Sequence, residues 1–246
     1  MSCRIRYSAS CITGAVRRNN QDNLLLGDFY LPENNRAMED GRTGTADSGK
    51  GFTLAVFDGI GGAPHGEAAA YITAKSMSMG IGPMLFPTPK KIRKRLSRTI
   101  LRANDSSLQY RDERRIRDYG CTAAGIWFCK KYAGIFNVGD SRIYSYCNGT
   151  MKLASKDHTV GRGILSQYIG MDEREGTPEP EISVMNLKKG LQFLICSDGL
   201  TACMSDREIE EHFREKRGKE FVTSMMDIVK RRGSPDNTTV IWCQVI

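Results

Sequence analysis

Between Thr122 and Ala154 the chain reads TAAGIWFCKKYAGIFNVGDSRIYSYCNGTMKLA, and the spacing of its apolar runs decides the fold class. Thr122 to Phe128, Tyr132 to Val138, Arg142 to Tyr146 and Met151 to Ala154 read as strands. Asn148-Gly149 between the last two suits the left-handed positions of a two-residue hairpin turn. Strands that follow one another without an intervening helix argue for antiparallel pairing rather than a doubly wound parallel sheet.

Working outward, Ile5 to Ser10, Asn23 to Phe29 and Thr53 to Phe57 read as further strands, separated by a long polar connection from Gly27 to Gly51 whose tip is expected to be mobile. Two helical segments follow. One runs from Glu67 to about Met79. The other starts at Pro89 and carries one apolar stripe of Ile92, Leu96, Ile100 and Ala103, with Lys90, Lys91, Arg93, Lys94, Arg98 and Arg102 on its opposite side. Downstream come strands at Glu181 to Leu187 and Leu191 to Cys196, a helix opening with the capping box of Ser205 and Glu208, and a helix with Val222, Met225, Met226 and Val229 at i, i+3, i+4, i+7. A last strand runs from Thr238 to Ile246. The expectation is an α+β fold: a four-layer α-β-β-α sandwich of two mainly antiparallel sheets flanked by helices, in one domain over 1–246.

Composition narrows the function classes. With 246 residues, 40% hydrophobic and 26% charged, the chain is an ordinary globular sequence and not a disordered, collagenous or coiled-coil one. No apolar run approaches the roughly 18 residues of a membrane span, and the N-terminal residues lack a signal-peptide core, so a cytoplasmic protein without membrane contact is expected. Eight scattered cysteines with no CxxC pair read as buried reduced thiols, and three histidines are too few and too dispersed for a zinc site. The net charge of +8 suits nucleic acid, an anionic surface or phosphorylated substrates without choosing among them. The basic helix lacks the interleaved aromatics of a nucleic-acid stripe and reads as a solvated face.

Chemistry is carried by aspartates. Asp58-Gly59, Asp140-Ser141 and Asp198-Gly199 each follow an apolar strand, Asp236-Asn237 precedes the last strand, and Gln21-Asp22 precedes the second. One such Asp is a turn residue. Five gathered at one sheet edge would repel one another unless a cation neutralised them, and oxygen-only ligands select Mg²⁺ or Mn²⁺ over softer ions.

Seven blocks in order resemble the metal-dependent PP2C-type protein serine/threonine phosphatases, particularly the compact bacterial members. They are Gly14 to Asp22, Val56 to Gly62 with Gly66-Glu67, Gly120-Cys-Thr122, Val138 to Arg142, Asp157-His158-Thr159, Cys196 to Thr201, and Gly233 to Val240. The resemblance implies hydrolysis of phosphoserine and phosphothreonine in proteins at a centre of two Mn²⁺ or Mg²⁺ ions, where a metal-bridging hydroxide attacks phosphorus in line. By the same resemblance Asp58 bridges both ions, Asp198 and Asp236 complete one, and the Gly59 carbonyl binds the other with Gln21 acting through water. Asp22 orients the cluster, Asp140 with Asp198 offers a third position, and Arg17 binds the substrate phosphate with its planar fork.

The chain departs from the family pattern in places. Gln21 stands where Glu is frequent, and Ala202 replaces an acidic residue, which argues against a third ion. Ile60 occupies the position where animal members carry a histidine, and His65 is not expected to reach substrate. Only six residues separate His158 from Leu165, so the flap of bacterial relatives is expected to be nearly absent and substrate choice to fall to the Gly27 to Gly51 connection or the basic helix. The expected partners are phosphorylated proteins and a cognate Ser/Thr kinase, with no membrane or nucleic acid and a monomer as default. The alternative is a phosphoprotein-binding module on the same fold without turnover.

Overall fold

Alternation along the strands builds two faces, and the inner ones are apolar until their last position. The computed structural model describes residues 2–34, 37–60, 65–161 and 163–246. The elements are β1 (Arg4–Ile12), β2 (Asp22–Leu26), β3 (Phe29–Tyr30), β4 (Met38–Asp47), β5 (Phe52–Asp58), α1 (Gly66–Gly80) and α2 (Pro89–Arg114). There follow β6 (Ala123–Cys129), β7 (Tyr132–Val138), β8 (Arg142–Cys147), β9 (Thr150–Leu153), β10 (Thr159–Val160), β11 (Ile164–Leu165) and β12 (Glu181–Asn186). The chain closes with β13 (Gln192–Cys196), α3 (Asp198–Thr201), α4 (Asp206–Glu215), α5 (Gly218–Arg231) and β14 (Thr238–Val245).

The strands form two six-stranded sheets of order β4-β1-β14-β13-β8-β9 and β12-β7-β6-β5-β2-β3, with β10 and β11 paired separately. Every pairing is antiparallel. Leu24, Leu26, Leu54, Val56, Ile126 and Phe128 of one sheet meet Ile5, Ala9, Phe193, Ile195, Ile241 and Cys243 of the other in a dry layer between them. The outer faces are covered by helices: α1 and α2 pack on the β5–β6 side through Ala70, Ala74, Ile92, Leu96 and Ile100. On the other side α4 and α5 pack through Ile209, Phe213, Phe221, Met225 and Val229 around Trp242. The four layers expected from the sequence are present.

Local signals account for the helix ends. Thr88 caps α2 by accepting from the Lys91 amide, and Pro89 sits in the first turn, where its missing N–H costs nothing. Ser205 and Glu208 close a reciprocal capping box on α4. Asn148 and Gly149 both take positive φ, as the β8–β9 turn demands.

Two expectations need correction. The Gly27 to Gly51 stretch is not a long connection: it holds β3, the ten-residue β4 paired with β1, and a short 3-10 turn at Ser48–Lys50. β4 escaped notice because it is an edge strand whose residues are half-buried or exposed throughout, and its Gly41 and Gly44 read as turn residues. The tip at Asn35 lies outside the described residues. The cysteines are all free, but only Cys11, Cys121, Cys129, Cys196 and Cys243 are buried, while Cys3, Cys147 and Cys203 are half-buried. Among the described residues no helix is long and apolar enough to cross a membrane.

Candidate metal centre

The inner-face registers that are apolar through the core become polar at one end. Leu26 and Leu24 lead to Asp22, Leu54 and Val56 to Asp58, Phe193 and Ile195 to Ser197, and Cys243 and Ile241 to Thr239, always in steps of two along the strand. Asp22 lies opposite Asp58 in the β2–β5 ladder, so both carboxylates emerge on the same face at the same end.

Asp22 is fully buried there and accepts from Ser197 Oγ at 2.8 Å and Thr239 Oγ1 at 2.6 Å, which ties the two sheets together. Asp58, Asp140, Asp198 and Asp236 line one cavity of about 490 Å³ together with Arg17. Arg17 Nη2 donates to Asp236 Oδ2 at 2.7 Å. The residues singled out in the sequence thus fall into two groups. Arg17, Asp58, Asp140, Asp198 and Asp236 line the cavity, whereas Gln21, Asp22 and Gly59 do not.

Backbone packing fixes the second group. The Gly59 N–H donates to the Gln21 carbonyl at 3.1 Å, and a Cβ at Gly59 would fall 2.5 Å from the Gly66 backbone. The Gln21 side chain donates to Glu67 Oε2 at 3.2 Å, which links it to the first turn of α1. Asn237 holds the loop that carries Arg17: its Oδ1 accepts from the Gln21 amide, and its Nδ2 donates to the carbonyls of Thr13 and Asn19. Gly14 takes φ +83° beneath the same loop, and a Cβ there would lie 2.4 Å from the Asp236 carbonyl oxygen.

The charges in this cluster are unfavourable as they stand. Burial raises the Asp58 carboxyl well above its ordinary value, with Asp22, Asp198 and Asp140 adding to the effect. Asp22 is pushed up to about 7, chiefly by burial and against the two hydroxyl donors. Asp140 is pushed up to about 6 by burial and by Asp198, and Asp198 is raised by burial as well. Among the described residues no three carboxylates, thiols or imidazoles already close around one point, and Asp236 is paired with Arg17.

The donor set fits hard divalent cations. Among the described residues the cavity offers carboxylate oxygens and no thiol or imidazole, and positive charge is what the raised carboxyls lack. The cysteines nearby are not alternatives: burial holds the Cys11, Cys121 and Cys196 thiols at about 12, so none supplies a thiolate.

Several residues of the cavity were not singled out beforehand. Asp118, held at φ +50°, lines it along with Tyr119, Ile164, Leu165 and Tyr168. The β10–β11 pair, which begins at Thr159 directly after His158 and ends at Leu165, stands in the place where a larger flap was expected to be missing, and Gly163, Ile164 and Leu165 form one wall. Among the described residues neither the Gly27 to Gly51 stretch nor the basic helix face lines the cavity, so any part they take in substrate choice is played outside it. The short helix α3, which begins at Asp198 itself, was also unforeseen. Gly61 and Gly62 lie outside the described residues.

A family model described as Protein phosphatase 2C matches residues 34–239. The Mycobacterium tuberculosis serine/threonine protein phosphatase PstP is 25% identical over 264 aligned positions, covering 98% of this chain and 45% of that protein. This chain therefore spans about half the length of that relative. A putative protein phosphatase 2C-type from Streptococcus pyogenes is 28% identical over 216 positions, covering 79% of this chain and 86% of its own length. Among solved structures, the catalytic domain of PstP in complex with two manganese ions superposes with a TM-score of 0.79 at 23% identity, covering all of both chains.

Proposed function

The chain belongs to the protein phosphatase 2C family, and on that premise we propose that it hydrolyses phosphoserine and phosphothreonine in proteins, with Mn²⁺ or Mg²⁺ as cofactor. The observation that carries this reading is the convergence of Asp58, Asp140, Asp198 and Asp236 with Arg17 on a single cavity. In this reading Asp58, Asp198 and Asp236 would hold two ions, with Gly59 contributing its carbonyl and Gln21 acting through water. Asp140 would serve a weaker third position. When bound, divalent ions supply Lewis-acid activation of water at neutral pH and neutralise charge on phosphate.

The protein's own residues do the rest. Arg17, paired with Asp236 in this structure, would bind the phosphate through two guanidinium N–H groups, and Asp236 would be among the residues that hold the ions. Asp22 keeps Ser197 and Thr239 in register and so fixes where β13 and β14 deliver Asp198 and Asp236. Tyr119 and Tyr168 on one side and Ile164 and Leu165 on another form the walls along which a phosphorylated segment lies. Phosphoproteins and a kinase that makes them are the partners this activity implies.

The reading is tested by phosphate release from phosphothreonine, phosphoserine and phosphotyrosine peptides of one sequence, with millimolar Mn²⁺ and after EDTA. Release from the first two that needs metal supports it. Metal-independent release, or preference for phosphotyrosine, overturns it.

A further inference from the structure

The charge of this protein is concentrated in one place. Between Glu67 and Asp105 there is no acidic residue and there are eight Lys or Arg, while the rest of the chain holds 28 of each sign. The whole net charge of +8 therefore belongs to residues 68–104, which span most of α1, the joining segment and the first half of α2. Among the described residues none of these eight enters an ion pair. Like charges three and four apart on a helix oppose its formation. Core packing of α2 does not need them, since Ile92, Leu96, Ile100 and Ala103 face the sheet.

These cations border a concave surface. A groove of about 340 Å³ is lined by Met84 and Phe86 together with Lys91, Arg95, Arg98 and Arg102 of α2, with no acidic side chain among the described residues of its lining. The segment before α2 is pinned by its backbone: Lys91 Nζ donates to the Phe86 carbonyl at 3.2 Å, and Lys130 Nζ donates to the Leu85 carbonyl. Its side chains are left outside, with Leu85 and Phe86 each 77% exposed. Apolar walls with a cationic rim fit a bulky apolar side chain flanked by carboxylates. A membrane plane would rest on the rim without filling the groove, and Phe86 alone makes no stacking platform for nucleic acid.

We propose that this groove docks an acidic segment carrying an apolar anchor, belonging to the phosphorylated protein substrate. Naming the partner as substrate rests on the phosphatase reading; the charge and shape of the segment do not. The groove lies on the first half of α2, roughly 25 Å along the helix from its C-terminal end, after which Asp118 and Tyr119 reach the cavity. The segment is thus read separately from the phosphorylated residue, across a spacer of at least about eight extended residues.

The test is fluorescence anisotropy with the full chain at 150 mM salt. The probe is an unphosphorylated, fluorescein-labelled twelve-residue peptide of Asp and Glu with Leu-Phe at its centre. Its binding is expected to weaken roughly tenfold or more in Arg95→Glu/Arg98→Glu, in Phe86→Ser, and when Ser-Ser replaces Leu-Phe in the probe. Hydrolysis of p-nitrophenyl phosphate stays unchanged in both variants. A phosphothreonine peptide bearing the segment beyond the spacer shows a KM lowered to a similar degree, with kcat unaltered. Wild-type affinity in the charge-reversal variant, equal affinity for the Ser-Ser probe, or tighter binding to phosphatidylserine vesicles or single-stranded RNA would overturn the proposal. Failure to release phosphate from any peptide counts against the phosphatase reading, and the anisotropy arm still decides the groove.

Discussion

Asp22 and Asp58 face each other across the β2–β5 ladder, two carboxylates opposed at the mouth of an apolar core. Like charges directly opposite in a sheet destabilise it. The fold tolerates the pair through the hydroxyls of Ser197 and Thr239, which donate to Asp22, and through the raised proton affinity of both groups.

That opposition predicts how the metal-free protein responds to pH. Asp22 at about 7 and Asp140 at about 6 bind protons more tightly folded than unfolded, where carboxylates titrate near 3.9. The stability these groups lend is present below about pH 4 and is lost as pH rises through 6 to 7. The Tm of EDTA-treated protein should fall by on the order of 5 °C between pH 5 and 8, and Mn²⁺ should raise it more at pH 8. Asp22→Asn keeps acceptors for Ser197 and Thr239 and should flatten the slope. A Tm independent of pH across this window contradicts the account.

Asn237 is predicted to matter for stability and activity together. Its side chain satisfies the Gln21 amide and the carbonyls of Thr13 and Asn19. Asn237→Ala leaves these groups without their partner and should cost about 2–3 kcal/mol in urea unfolding. Because the same loop carries Arg17, KM for a phosphopeptide should rise as well. Loss of stability with an unchanged KM would separate the loop from the phosphate site.

Arg17→Lys keeps a charge near Asp236 but loses the planar fork. The expected result is a KM raised about tenfold with a smaller change in kcat, measured by steady-state kinetics on a phosphothreonine peptide. An unchanged KM would remove Arg17 from phosphate binding.

The thiols are predicted to be spectators. With Cys11, Cys121 and Cys196 held near 12 by burial, iodoacetamide at pH 7.5 should label only Cys3, Cys147 and Cys203 in the native protein and leave phosphate release intact. Mass spectrometry of the labelled peptides together with an activity assay checks this.

Most of the frame was legible because its signals are local or periodic. The strands from Ala123 to Leu153 alternate or run apolar between short turns, and α4 announces itself by Ser205 and Glu208. β4 was not legible, since an edge strand needs only one partner and its exposed pattern resembles a loop. At the site, Asp58, Asp198 and Asp236 stood out by their strand-end setting, and the fold brings them to one cavity. Asp118 and Tyr168 did not, because their places in the wall come from loop geometry that no periodicity encodes. Nor could the sequence foretell that Arg17 and Asp236 pair directly, a contact made across 219 residues.

The central claim is that these aspartates serve metal-dependent hydrolysis, and its most direct test is Asp198→Asn, which removes ligand charge while nearly preserving shape. Phosphate release from a phosphothreonine peptide in millimolar Mn²⁺ should fall by roughly a hundredfold or more in the variant, with Mn²⁺ affinity by calorimetry falling beside it. Equal release by variant and wild type, or none from the folded, Mn²⁺-loaded wild type, would contradict the account.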